Sequence, residues 1–337
     1  MIPSKVQMAD IARLAGVSVS TVSRALGDSA LVNAETRERI GELARSLNYS
    51  INVGAQNLRL KQNKTVAVIV PFDPATRQHL SDPFFLSLIG SLADALTERG
   101  LDMLLTRVDA GRLDQAAQVF HTGRAMGIVL VGQWHHHDQL NEMAVRGVPF
   151  VVWGAQLPQQ LYATVGGDNL AGGRLATAHL LAQGARRIVF LGDPELPEAA
   201  LRLQGYLQAH ADAGLQAEPQ LQRPLPFVPE RVAPELEALR RQQLAFDAVF
   251  AASDLLAMAA ISALRAQGRQ VPEDVLVVGY DDIALAEHFI PALSTVAQPI
   301  GEAGRALVEL LLAQLAGERV CSRMLGTALV PRRSSGC

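Results

Sequence analysis

The sequence predicts an all-α helix-turn-helix head followed by an α/β body of two lobes, each a doubly wound parallel sheet. Three observations predict it. Two short helical periods separated by a glycine occupy residues 8–26. From Thr65 onward, short apolar runs alternate with amphipathic helical stretches. At 337 residues and 49% hydrophobic composition, the chain exceeds one ordinary domain and carries apolar material for more than one core.

In the head, Ile11, Leu14 and Ala15 share one face of a helical period, as do Val22, Ala25 and Leu26 after a break at Gly16-Val17-Ser18. Gln7 stands where Ser or Thr would cap better, so the first helix is expected to begin with a weak cap. Ser18 suits the N-cap of the second helix, because its hydroxyl can accept from an orphan amide of the first turn. That helix then presents Ser20, Thr21, Ser23 and Arg24 opposite its apolar face: small polar groups and one long cation, a surface for a DNA groove. Asn33 can cap a third helix over 34–47, with Ile40, Leu43, Ala44 and Leu47 inward.

Residues 49–64 form a junction. Asn52 to Arg59 could make two helical turns, but Gly54 costs about 1 kcal/mol relative to Ala, and a segment this short does not hold a helix alone in water. It is expected to order only when DNA and a partner segment meet it.

The body has apolar runs at 66–70, 101–105, 127–131, 149–153, 188–191, 248–251 and 275–278. Helical stretches lie at 84–98, 170–183, 201–213, 255–267 and 300–315. Strand and helix alternating in this way indicate parallel sheets covered on both faces. The number of elements exceeds one doubly wound sheet, hence two lobes, and such lobes bind small molecules at the carboxyl ends of their strands.

A net charge of −3 hides an asymmetry. Residues 1–64 hold nine Lys and Arg against five Asp and Glu, leaving 21 against 28 for the remainder. A basic head on an acidic body suits a polyanion-binding module joined to a part with another task. Cys321 and Cys337 both lie near the end and have no metal-ligand spacing, which points to a cytosolic chain without structural disulfides. No apolar run approaches the ~20 residues that cross a bilayer, and no signal peptide is expected ahead of the head. His135-His136-His137 has no accompanying Cys or carboxylate cluster, and adjacent histidines on a helix diverge, so no metal site is expected. No cofactor is expected either: the glycines at 166–167 and 172–173 lack the G-x-G-x-x-G spacing, and Asp168 and Asn169 read as helix caps.

Taken in order, the segments resemble the LacI family of bacterial transcription regulators. The carriers are M-A-D-I-A-R-L-A-G-V-S-V-S-T-V-S-R-A-L (8–26), E-T-R-E-R-I in the third helix and N-Y-S-I-N-V-G-A-Q-N-L in the junction. Further on come D-P-F-F (82–85), G-G-D-N (166–169), R-L-Q-G-Y (202–206), S-D-L-L-A (253–257), V-G-Y-D-D (278–282) and I-P-A-L-S-T-V-A-Q-P-I (290–300). The resemblance implies a helix-turn-helix DNA-binding domain (1–50), a hinge helix or linker (51–64), and a periplasmic-binding-protein-like body for effector binding and dimerisation (65–337). It implies a cytoplasmic homodimer, a pseudo-palindromic double-stranded operator, and a small-molecule effector of sugar type.

The resemblance also assigns residues. Val19, Ser20 and Arg24 approach base edges: Arg24 can fork onto guanine, Val19 can touch a thymine methyl, and Ser20 can donate or accept. Thr21 and Ser23 suit phosphates. In the hinge, Asn52, Ala55 and Leu58 belong to the DNA-binding set, with Leu58 as a minor-groove wedge. Ile51 replaces a usual proline there, so the hinge departs from the family at both Ile51 and Gly54. In the body, Arg202, Asp281, Ser253 and Asp254 match effector contacts, with Phe227 at a stacking position, Phe84 at the mouth of the other lobe and Trp153 as a further platform. Gly154 takes a place where the family often has an aspartate. Arg with two carboxylates suits a polyol, and an aromatic face covers its apolar side.

Three other readings compete. A non-sugar effector such as a nucleobase could act as corepressor on the same fold. A sugar hydrolase or kinase could use the cleft carboxylates, but the chain has no P-loop and no G-x-S-x-G. A secreted solute-binding protein shares the two lobes but not the head.

Overall fold

The helical periods at the start of the chain close on one another. In the computed structural model, which describes residues 7–26, 31–47, 63–74 and 79–337, α1 (Met8–Ala15), α2 (Val19–Leu26) and α3 (Ala34–Ser46) pack around Ile11, Ala12, Val22, Val32 and Ile40. Leu14 departs from the sequence reading: the buried face of α1 centres on Ile11 and Ala12, and Leu14 points off its flank, 56% exposed. The turn between α1 and α2 needs Gly16, whose φ of 64° few other residues adopt without strain. There the Val17 amide donates to the Ala12 carbonyl at 3.0 Å. Gln7 caps α1 weakly as expected, with no side-chain cap hydrogen bond, and its backbone amide donates to the Asp10 carboxylate at 2.9 Å. Asn33 caps α3 as expected, accepting from the Thr36 amide at 2.8 Å.

The chain divides into two units that part between Asn63 and Lys64. The second unit begins with β1 (Thr65–Ile69), α4 (Pro83–Thr97), β2 (Asp102–Thr106), α5 (Ala117–His121), β3 (Gly127–Val131), α6 (His137–Val145), β4 (Phe150–Trp153) and β5 (Ala163–Gly167). There follow α7 (Asn169–Ala182), β6 (Ile188–Leu191), α8 (Pro197–Asp212), β7 (Gln222–Arg223), α9 (Val232–Arg241), β8 (Ala248–Ala251), α10 (Asp254–Ala266) and β9 (Leu276–Asp281). It ends with α11 (Ala284–His288), β10 (Ser294–Ala297), α12 (Ile300–Leu315), β11 (Arg323–Leu325) and β12 (Ala328–Val330).

Two six-stranded sheets result. The first runs β11-β5-β4-β3-β1-β2 and the second β12-β10-β9-β8-β6-β7. Every pairing is parallel except β12 against β10. The all-apolar runs form central strands such as β3 and β8, buried along their whole length as a sheet covered on both faces requires.

Neither lobe is one stretch of chain. α12 follows the second lobe in sequence yet packs Ala303, Leu307 and Leu311 with Leu88, Leu92 and Leu96 of α4 in the core of the first. Those three leucines are fully buried within the lobe. The chain passes between lobes at 167–168, 298–299 and 326–327, and the passages touch: the Asp168 amide donates to the Leu325 carbonyl at 2.9 Å, and Thr327 Oγ1 donates to the Asp168 carbonyl at 3.2 Å.

Candidate functional site

On the head, Ser18 organises the start of α2. Its Oγ accepts from the Thr21 amide at 3.1 Å and lies 2.7 Å from the Ser20 hydroxyl. Val19 is 44% exposed, Ser20 and Arg24 are exposed, and Thr21 and Ser23 are half-buried. The residues expected to read bases are thus the outermost, with the two phosphate candidates on the flank of the helix. Asn52, Ala55 and Leu58, with Ile51 and Gly54, lie outside the described residues.

In the body, a cleft with a cavity volume of about 100 Å³ opens between the carboxyl ends of the two sheets. From the first lobe come Asp82, Phe84, Trp134 and Trp153. Pro83 sets the first turn of α4, and Asp82 caps that helix by accepting from the Phe84 amide at 3.0 Å. The Phe84 ring lies 6.3 Å from the Trp153 ring, tilted by 44°. Trp134 reaches the cleft from a turn after β3, with a left-handed φ of 49°.

From the second lobe come Glu198, Arg202, Phe227, Ser253 and Asp281. Arg202 is almost fully buried: Nε donates to Asn169 Oδ1 at 2.8 Å, Nη1 donates to the Ala252 carbonyl at 2.5 Å, and the guanidinium stacks 3.7 Å from the centre of the Tyr280 ring. Those bonds use two of its five N–H protons, fixing the fork while donors remain for a ligand. Asp281 ends β9 with φ of 118°, and its Oδ1 accepts from Gln298 Nε2 at 2.7 Å. Burial pushes its carboxyl well above the usual carboxylate range, against the pull of Arg202. Gln298 belongs to one of the three inter-lobe passages, so the cleft floor is tied directly to the joint.

The structure therefore brings Phe84, Trp153, Arg202, Phe227, Ser253 and Asp281 around one cleft. Asp254 does not join them. It is completely buried beneath the floor, where its two oxygens accept from the Thr295 hydroxyl at 2.6 Å and the Ile283 amide at 2.9 Å. Its role there is to hold the chain just beyond Asp281. Ser253 has a second task, capping α10 through the Leu256 amide at 3.3 Å. Asn169, read as a cap, instead orients Arg202, and Asp168 does the capping. Glu198 and Trp134 are cleft residues that sequence reasoning missed. His137 Nδ1 lies 2.9 Å from the Tyr162 hydroxyl, and no group of three metal-ligating side chains occurs among the described residues.

A helix-turn-helix head followed by a two-lobed body with a polar, aromatic-walled cleft defines a ligand-sensing DNA-binding regulator. Residues 7–52 match the bacterial regulatory proteins of the lacI family, and residues 177–335 match a periplasmic binding protein-like domain. The chain is 36% identical over 312 residues to the HTH-type transcriptional regulator CelR of Thermobifida fusca, with 91% of each protein covered. It is 32% identical over 335 residues to the HTH-type transcriptional repressor CytR of Escherichia coli K12, covering 97% of this chain and 96% of that one. The solved structure of a transcriptional regulator CelR–cellobiose complex matches with a TM-score of 0.73 at 33% identity, covering 98% of this chain and 99% of that one. The chain belongs to the LacI family of bacterial transcriptional regulators.

Proposed function

We propose that this regulator is a homodimeric, cytoplasmic repressor of a sugar-utilisation operon, whose hold on a pseudo-palindromic operator is set by a small sugar bound between the lobes. The observation that carries the reading is the floor of the cleft. A buried, pre-oriented Arg202 and a carboxylate at Asp281 supply donors and acceptors together, under the rings of Phe84, Trp153 and Phe227. A pyranose or furanose has that same division between a hydroxyl rim and an apolar face. The sugar in the CelR complex is consistent with it.

Binding would act through the lobes. A ligand that touches Arg202 and Asp281 on one side and Phe84 and Trp153 on the other favours one lobe arrangement, by no more than its difference in affinity for the two. Each lobe shift changes the separation of the two chains at Lys64, where each joins its DNA-binding head, and so the free energy of docking both heads. The cleft has a binding role for each of its carboxylates, and turnover of the ligand is not part of the mechanism. No helix among the described residues is long and apolar enough to cross a membrane.

A thermal-shift screen of mono- and disaccharides tests the reading. A ligand at 100 times its dissociation constant stabilises the body by about 2.7 kcal/mol, and the same ligand must change operator affinity measured at fixed salt. A shift with nucleobases but with no sugar would replace the sugar by a nitrogen heterocycle.

A further inference from the structure

One wall of the cleft is built in an unusual way. β4 ends at Trp153, and the next residue, Gly154, has no side chain to offer. The space beside it is filled from elsewhere: a Cβ at Gly154 would lie 2.5 Å from Gln133 Oε1 and 3.2 Å from Glu198 Oε1. Gln133 is fully buried and belongs to the first lobe, its Oε1 accepting from the Ala155 amide at 2.9 Å. Glu198 belongs to the second lobe, in the first turn of α8. Its carboxylate therefore crosses the cleft and lies against the backbone of the facing lobe. It stands one helical turn before Arg202, so both project from the same face of α8 into the ligand space.

The balance of charge follows. The titratable side chains lining the cleft are Asp82, Glu198, Asp281 and Arg202: three carboxylates to one guanidinium. Burial pushes the Glu198 carboxyl up, while Arg202 and the Ala155 amide favour its charged form. In its charged form Glu198 gains from a donating hydroxyl part of what water supplied, whereas a ligand carboxylate in the same place meets like charge at low dielectric.

We infer that Glu198 is a specificity-determining residue: lodged in the space that Gly154 leaves open, it makes the cleft select neutral hydroxyl-bearing ligands over their carboxylate counterparts. This rests on the sugar reading above, and the test separates the two. Full-length protein is titrated with matched pairs, namely glucose and glucuronate, galactose and galacturonate, cellobiose and cellobiouronate, followed by intrinsic tryptophan emission. For whichever neutral sugar binds, its acid partner is expected to bind at least about tenfold more weakly, as like-charge rejection in a buried site requires. Glu198→Gln should bring the pair within about threefold, and Glu198→Asp, which keeps the charge, should retain the gap. A gap unchanged in Glu198→Gln, or one lost equally in Glu198→Asp, overturns the inference and leaves the sugar reading standing. No response to any neutral or acidic saccharide, by emission or by thermal shift, overturns both.

Discussion

Replacing Arg202 by Met removes the guanidinium while keeping a long side chain in its slot. Three contacts go with it: the bond to Asn169 Oδ1 at 2.8 Å, the bond to the Ala252 carbonyl at 2.5 Å and the stacking on Tyr280 at 3.7 Å. Hydrogen bonds to a charged group contribute about 1.5–3 kcal/mol each, but the folded chain is also relieved of a buried charge, which offsets much of the loss. Net destabilisation should be about 1–3 kcal/mol, visible as a lower urea midpoint. Binding suffers more, because a bidentate, charge-assisted contact to the ligand disappears with no compensating relief in the complex. About 3 kcal/mol of effector affinity, roughly 150-fold, should be lost. Tryptophan emission titrated with the active sugar measures it in the folded variant. A folded Arg202→Met protein whose affinity stays within about threefold of the parent would refute the assignment of Arg202 to the ligand. Arg202→Lys should fall closer to Met than to the parent, since an ammonium cannot hold Asn169 and Ala252 and still present a fork.

Further outcomes are expected. Both tryptophans of the chain line the cleft, so an effector should change tryptophan emission, and Trp134→Phe and Trp153→Phe should each remove part of the amplitude. A ligand that raises the melting temperature without altering emission would place the site elsewhere. Burial pushes the Asp254 carboxyl up to about 7, against the Thr295 hydroxyl and the Ile283 amide. A carboxyl near 3.9 when unfolded then binds its proton more tightly when folded, so its contribution favours folding below about pH 4 and is lost as pH rises toward 7. Asp254→Asn should shrink the difference in urea midpoint between about pH 5 and pH 7.5; a difference as large as that of the parent would count against this. Gly54→Ala, argued from the sequence alone, should tighten operator binding by about fivefold per hinge at matched salt, the equivalent of about 1 kcal/mol of helix propensity, and unchanged or weaker binding would sink the argument.

The head and the central strands were legible because each carries its own periodicity. Val22 and Ala25, Ile40 and Ala44, and the runs at 127–131 and 248–251 declare their burial locally. The strands one in from the sheet edges did not. β5 ends in two glycines and has no apolar run, and β10 begins with Ser294 and Thr295, whose hydroxyls are buried only because later parts of the chain and Asp254 satisfy them. The same contrast holds in the cleft. Arg202 and Asp281 sit in ordered motifs, but Asp254 beside Ser253 is turned beneath the floor, a direction that motif spacing does not encode. Glu198 lies ahead of the helical stretch read at 201–213, and its importance comes from a glycine 44 positions earlier. Trp134 reaches the ligand space only through the left-handed turn after Gly132.

The three side-by-side passages between lobes have a consequence for how the protein is made. The first lobe has β1 to β5 in hand once residue 167 has emerged, but its core lacks α12 and its sheet lacks β11 until residues 315 and 325 follow. At typical rates of synthesis the wait is on the order of 8–30 s. Throughout that time Leu88, Leu92 and Leu96 have no α12 to cover them, and the Gly167 edge of β5 has no partner. The nascent chain thus carries an open apolar face and an unpaired strand edge on the ribosome, where a chaperone that shields such surfaces would find its binding site, and the two lobes reach completion almost together.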